Sequence, residues 1–310
     1  MADAHPSIGG LPLVLGGNVF GWTCDRDQSF VVLDAFYEAG GRMIDSAEVY
    51  SAWVPGNKGG ESEALIGEWM ESRGVRGDIL VGTKTGLGPG EGKLKPEAVS
   101  AALDASLERL RSDYVDLYYA HRDDPTTPLD EAVEAYDAAL KSGKAREIGA
   151  SNYEADRLTA ILDKAAQMGA TSFTVLQPEY NLVARGNYEG ALQALCVARG
   201  IAVMPYFALA AGFLSGKYAS EADWEGNARA GMLAGAAANG GWDVLATVRE
   251  VAAELGTRPA HVAISWQLQQ PGIAAPIASA TSVEQLADLV AAVSLKLEPA
   301  QIERLNAAGQ

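Results

Sequence analysis

Asp45, Tyr50, Lys84 and His121 stand at or just beyond the C-terminal ends of three successive apolar runs, in the contexts MIDSAEVY, ILVGTK and VDLYYAH. A carboxylate, a phenol, an ammonium and an imidazole gathered in one place make a proton-handling site. Taken singly, each has an ordinary reading. Asp45 could cap a loop, Tyr50 could pack as an aromatic, and His121, which shares the chain with only His5 and His261, could be a satisfied core residue. Lys84 is less ordinary, because a lysine is rarely buried without a partner. Together, each group repairs another's energetic problem. Asp45 supplies the counter-charge that a buried ammonium needs. A tyrosine hydroxyl titrates near about 10, and a cation within a few ångströms is expected to lower that value by roughly one to three pH units. His121 can then hydrogen-bond a carbonyl oxygen and hold it against Tyr50. Such a set suits protonation of an oxygen while a hydride reaches the neighbouring carbon, or the reverse. No group of His and carboxylates lies at metal-ligand spacing and no Ser or Cys nucleophile stands beside a base, so metal hydrolysis and acyl transfer match poorly.

Chemistry of this kind needs elements that bring the four together. Short apolar runs at residues 11–15, 42–45, 79–83, 114–119, 146–150, 174–177, 202–206 and 273–278 read as buried strands, most of them too short for helices. Amphipathic stretches separate them. In residues 96–110 the apolar positions Val99, Leu103, Leu107 and Leu110 form one stripe, with Pro96 suited to a first helical turn. Further helices are expected at 29–39, 61–70, 129–141, 154–168, 188–199, 244–255, 259–269 and 283–293, with a short one in the tail at 298–310. Eight strands alternating with helices predict an α/β fold, a (β/α)8 TIM barrel formed by residues 1–310 as a single domain, whose C-terminal strand ends converge on one face. A doubly wound sheet is the alternative, but no GxGxxG turn opens its first unit. Residues 49–60 and 208–241 are long, glycine-rich βα loops on the expected active face, as lids and binding loops tend to be.

Composition narrows the classes. At 310 residues, with 48% hydrophobic and 21% charged residues, the chain has the make-up of a globular protein with ample core. A net charge of −16 argues against nucleic acid or an anionic membrane as partner, since both call for basic patches. Cys24 and Cys196 are far apart and suggest neither a disulfide framework nor a thiolate metal site. No signal-like or membrane-spanning run is apparent, so a cytoplasmic protein is expected. The oligomeric state is not legible.

Several motifs in order resemble the aldo-keto reductase family along nearly the whole chain: IDSAEVY, GGESEALIG, VGTK, DLYYAHRDD, IGASNY, LQPEYNL, PYFALAAGFLSGK and APIASATSVEQL. The resemblance implies a barrel that binds a nicotinamide cofactor without a Rossmann fold. It implies Tyr50 as general acid and base, Lys84 and Asp45 as its tuners, and His121 as the guide of the substrate carbonyl. Ser151, Asn152 and Gln177 match positions that hydrogen-bond the nicotinamide carboxamide, a group well served by side-chain amides. Tyr206 matches the aromatic beneath the nicotinamide ring, and residues 209–217, from Leu209 to Lys217, the loop over the pyrophosphate. Many relatives carry Arg or Lys where residues 279–285 read SATSVEQ; here only Ser279, Thr281 and Gln285 can meet a 2′-phosphate or a bare ribose hydroxyl. NADP(H) is expected on family habit, with NAD(H) the alternative. Phe20, Trp22 and Trp53 are candidates for an aromatic substrate wall, and Asp123, Asp124 and Trp224 for its rim. The expected function is hydride transfer between nicotinamide and the carbonyl or alcohol group of an aldehyde, ketone or sugar. A nicotinamide-sensing regulatory protein on the same barrel is the second reading, and a lyase or isomerase barrel would need a phosphate or metal site that is not evident.

Overall fold

The computed structural model describes residues 8–238 and 240–308, so His5 lies outside the described residues. Eight strands follow one another with helices between: β1 (Val14–Gly16), α1 (Arg26–Glu38), β2 (Met43–Asp45), α2 (Glu61–Arg73), β3 (Leu80–Thr85), α3 (Pro96–Leu110), β4 (Leu117–Ala120) and α4 (Leu129–Lys141). The second half continues with β5 (Ile148–Ser151), α5 (Ala155–Met168), β6 (Val175–Gln177), α6 (Ala191–Arg199) and β7 (Ala202–Val203). After it come α7 (Ala230–Ala237), α8 (Gly241–Glu254), α9 (Pro259–Leu268), β8 (Ile277–Ala278), α10 (Val283–Ala292) and α11 (Pro299–Ala308). All pairings are parallel, in the spatial order β7-β6-β5-β4-β3-β2-β1-β8. The circle closes between β7 and the approach to β8 through a bridge from Val203 to Ile273 and hydrogen bonds such as Ala274 N to Val203 O at 2.8 Å. This is the (β/α)8 barrel that the strand–helix alternation predicts.

Local sequence explains the elements. The stripe of α3 is buried as its spacing requires, at Val99, Leu103, Leu107 and Leu110, with Pro96 in the first turn. Helix α1 starts three residues earlier than its apolar pattern suggests, because the Asp25 side chain accepts from Gln28 N and caps it. Residues 208–241 are not one open loop. They contain two 3₁₀ turns, Ala210–Ser215 and Glu221–Trp224, and the helix α7, anchored by fully buried Leu233. Beneath this segment Trp224 stacks on Trp242 at 5.7 Å, and Phe213 meets Trp242 edge-on at 5.0 Å. Residues 49–60 are likewise fastened down: Ser51 Oγ donates to Phe20 O at 2.8 Å, and Asn57 Nδ2 to Gly21 O at 3.1 Å.

Two apolar layers result. One fills the barrel, with Ile8, Val14, Met43, Leu117, Tyr119, Val175 and Met204 among its members, and the other lies between strands and helices. Tyr119 is the large residue of the interior, and glycine on the neighbouring strand makes room for it. A Cβ at Gly149 would lie 2.7 Å from Tyr119 Cδ1 and 3.0 Å from Val175 O. Gly149→Ala is therefore expected to destabilise the protein by roughly 1–3 kcal/mol, the usual effect of overpacking. Urea denaturation checks this, and an unchanged midpoint would show that the ring has space to move.

Candidate active site

The parallel register fixes the quartet. Asp45 ends β2 beside Gly82, and Lys84 lies opposite Tyr119 within β3. His121 follows β4 directly, its amide donating to Thr85 O at 2.8 Å. Tyr50 arrives on the fastened loop after β2. Lys84 is 0% exposed and Asp45 1%. The ammonium of Lys84 donates to Asp45 Oδ2 at 2.6 Å, to Ser46 O at 2.6 Å and to the Tyr50 hydroxyl at 3.0 Å. Three donors thus meet three acceptors, which is what lets a charged lysine sit in the barrel. The Tyr50 hydroxyl also donates to Asp45 Oδ2 at 3.3 Å. The His121 ring lies 6.2 Å from that of Tyr50, centre to centre.

Burial governs the titration of these groups. It pushes the Tyr50 phenol well above its ordinary value of 10, and the charge and hydrogen bond of Asp45 push the same way. The lowering expected from Lys84 does not occur: burial, which the sequence does not report, outweighs the cation, Asp45 adds to it, and the phenol is held protonated. Burial lowers the Lys84 ammonium too, against the pull of Asp45. His121 is held well below 6.5 by burial, then by the charges of Lys84 and Arg122, so its imidazole is neutral at ordinary pH. Its Nδ1 is buried without a hydrogen-bond partner.

Four of the residues expected around a nicotinamide share one wall. Ser151 and Gln177 end adjacent strands, and Ser151 Oγ donates to Gln177 O at 2.8 Å. Asn152 takes a left-handed conformation, φ 56°, from which its Nδ2 reaches His121 O at 2.9 Å. Its Oδ1 accepts from the Tyr206 hydroxyl at 2.7 Å. Gln177 Nε2 donates to Asp45 Oδ1 at 2.9 Å, which ties this wall to the quartet. Leu209 leads into a run of positive φ at Ala210, Ala211 and Gly212 (48°, 56° and 99°), a concave backbone that suits an anion. A methyl group at Gly212 would lie 3.5 Å from Lys217 Nζ, and Lys217 forms no ion pair among the described residues. These features fit a dinucleotide's pyrophosphate. At the third cluster Gln285 Oε1 accepts from Thr281 N at 3.0 Å and from Thr281 Oγ1 at 3.1 Å, while Ser279 Oγ donates to Asn18 Oδ1 at 2.6 Å. Arg258 is paired with Asp288, three residues beyond Gln285 on α10. Asn18 and Gln28, which donates to Thr281 O at 2.5 Å, join this cluster without having been singled out in the sequence. Only the polar break GGN after the first strand hinted at the former.

The aromatic wall is smaller than the sequence suggested. Trp53 is 49% exposed and meets Trp22 edge-on at 5.4 Å and Tyr50 at 6.1 Å. Phe20 has no exposed surface and packs in the core layer, and Trp224, 5% exposed, lies in the stack under the long loop instead of at the rim. Asp123 is committed to Arg157, and Asp124 to the loops themselves, accepting from the Thr126 and Thr127 side chains and from Lys93 N. Among the described residues no group of three or more His, Cys, Asp or Glu is placed to hold a metal ion, and no helix is long and apolar enough to cross a membrane.

Fold and site together define a class: a parallel (β/α)8 barrel with a buried lysine–carboxylate–phenol cluster at its C-terminal mouth. The model of the Aldo/keto reductase family matches residues 12–310. A probable voltage-gated potassium channel subunit beta of Oryza sativa subsp. japonica is 31% identical over 305 residues, 94% of this chain and 90% of that protein. An aryl-alcohol dehydrogenase [NADP(+)] of Phanerodontia chrysosporium is 30% identical over 306 residues, 92% of this chain and 76% of that one. The norsolorinic acid reductase stcV of Emericella nidulans is 30% identical over 318 residues, 95% and 77% of the two chains. The chain belongs to the aldo/keto reductase family, and with it to the NAD(P)H-dependent oxidoreductases.

Two outcomes test the electrostatics. Lys84→Met strands a buried carboxylate and is expected to cost about 3–5 kcal/mol in urea denaturation, much of it regained in the double variant with Asp45→Asn. Equal loss in single and double variants would refute that pairing. Burial raises the Asp124 carboxyl, but its hydrogen bonds from Thr126, Thr127 and Lys93 prevail and hold it down at about 2, below the ordinary 3.8. A lowered carboxyl stabilises the fold above its unfolded value and loses that contribution as pH falls through the folded one. The native protein should therefore lose more stability than Asp124→Asn between pH 3.8 and about 2, and parallel curves would contradict this.

Proposed function

We propose that the chain, working as one unit over residues 1–310, is a cytoplasmic carbonyl reductase or alcohol dehydrogenase in which Tyr50 is the general acid and base. The observation that carries this reading is the Lys84 ammonium bonded at once to Asp45, Ser46 O and the Tyr50 hydroxyl. Bound nicotinamide supplies or accepts the hydride. The protein's own part is to hold and move one proton. Protonated Tyr50 donates to the carbonyl oxygen as charge develops there, and Lys84, 3.0 Å away, stabilises the phenolate left behind. Asp45 keeps Lys84 charged within the barrel. Neutral His121 orients the same oxygen without competing for the proton. For alcohol oxidation the roles run backwards.

For the cofactor, Ser151, Asn152, Gln177 and Tyr206 would hold the nicotinamide end, Leu209 and Lys217 with the concave turn between them the pyrophosphate, and Ser279, Thr281 and Gln285 the adenosine end. NADP(H) is the preferred form on the family's habit, and the relative from Phanerodontia carries NADP(+) in its name. The Trp22–Trp53 pair next to Tyr50 favours a flat, aromatic carbonyl substrate. A second reading, a nicotinamide-sensing regulatory subunit, draws on the likeness to the Oryza channel subunit.

Tyr50→Phe is expected to lower turnover by roughly 10²–10⁴-fold, as for loss of a general acid, while fluorescence titration shows cofactor binding intact. Full activity of that variant on every carbonyl the wild type reduces would sink the assignment. The same titration with NADPH and NADH decides the cofactor, a clear preference for NADH overturning the assignment of NADP(H). Lack of turnover across a panel of aromatic aldehydes and ketones, with cofactor bound, would favour the regulatory reading.

A further inference from the structure

Asp45 uses both of its oxygens. Oδ2 receives Lys84 at 2.6 Å and Tyr50 at 3.3 Å, and Oδ1 receives Gln177 Nε2 at 2.9 Å. Gln177 lies on β6, and in the order β7-β6-β5-β4-β3-β2-β1-β8 this strand stands opposite β2, four places away in either direction. The bond therefore spans the barrel, and both partners are 1% exposed. The orientation of the amide is forced, because an ionised carboxylate only accepts and so must face the NH₂ end. Gln177 cannot be replaced by its neighbours: Ser151 Oγ points to Gln177 O, and Asn152 is engaged with His121 O and the Tyr206 hydroxyl.

From this geometry we infer that Gln177 is a positioning residue of the proton-transfer cluster, holding Asp45 in the plane from which it serves Lys84 and Tyr50, in addition to any contact with cofactor. An unanchored carboxylate in a buried site turns towards its remaining donors. It would then take the Tyr50 hydroxyl more strongly than 3.3 Å implies and make that phenol a poorer acid. The amide thus sets the division of Asp45 between ammonium and phenol. The inference rests on the proposed role of Tyr50, but the link from Gln177 to Asp45 is measurable without it.

Gln177→Met keeps the bulk of the side chain and removes the donor. At saturating cofactor it is expected to lower kcat by roughly 10–100-fold, the scale of a hydrogen bond to a charged group, with a changed pH profile of kcat. Gln177→Glu provides a group that can donate to Asp45 only when protonated, so its kcat should recover towards the wild-type value as pH falls. If both variants keep the kcat and pH profile of the wild type, and the loss is confined to cofactor KM and to cofactor binding by fluorescence, Gln177 serves the cofactor alone and the inference is overturned. A double-mutant cycle in urea denaturation decides even if no carbonyl is turned over. The midpoint loss caused by Gln177→Met should shrink when Asp45→Asn is already present, whereas additive losses would refute the coupling. Failure of wild-type turnover with a coupled cycle would count against the role of Tyr50 and leave the Gln177–Asp45 link standing.

Discussion

A lysine ammonium with no exposure to water is the constraint around which this barrel is arranged. Lys84 has to find acceptors in three directions, and each comes from a different piece of backbone geometry: the last residue of β2, the carbonyl one residue further on, and a hydroxyl returned by the loop. Parallel strands in register make the first two nearly automatic, since β2 and β3 pair from Met43 with Leu80 to Asp45 with Gly82. The third requires the loop to be tied down, which Ser51 and Asn57 do by bonding to the chain after β1. Loosening any one of these leaves a donor unsatisfied where water cannot replace it.

Charge is distributed so that the site carries little net field of its own. The chain is strongly acidic, yet the buried cation and anion are paired one to one, and the neighbouring imidazole stays neutral chiefly because it is buried, with that cation adding to the effect. Burial then acts on Tyr50 in the direction of the neutral phenol. A neutral phenol beside a paired ammonium is the combination that the proposed proton transfer calls for.

Much of this could be read from the chain. Strand ends are where the quartet had to lie, and α3 and α4 fall on the expected residues because their apolar stripes begin cleanly, Pro96 and Leu129 marking the first turns. What was missed has physical reasons. Helix α1 begins at a cap that apolar periodicity does not register, and α7 is rich in Ala and Gly with only Leu233 and Ala237 buried, too little pattern to stand out. Phe20 and Trp224 carry the same side-chain chemistry as Trp22 and Trp53, and only burial separates core from mouth. The carbonyl of Ser46 meets Lys84 between neighbouring strands and carries no side-chain signal, while the bond from Gln177 to Asp45 crosses the closed barrel at 132 positions' separation, which no local spacing reports. The phenol's direction of shift was misjudged because burial, with Asp45 acting the same way, outweighs the nearby cation, and the depth of burial is not legible in the sequence.

The seam of the barrel has its own consequence. Strands β7 and β8 span two residues each, and they meet through one bridge and a few hydrogen bonds where other neighbours share ladders of up to four pairs. Tyr206 and Lys217 hang from one side of this seam, and Ser279, Thr281 and Gln285 from the other. A long ligand held by both sides would act as a cross-brace over the weakest joint of the ring. Occupancy and resistance to unfolding would then rise together, and the mouth would be stiffest when it is in use.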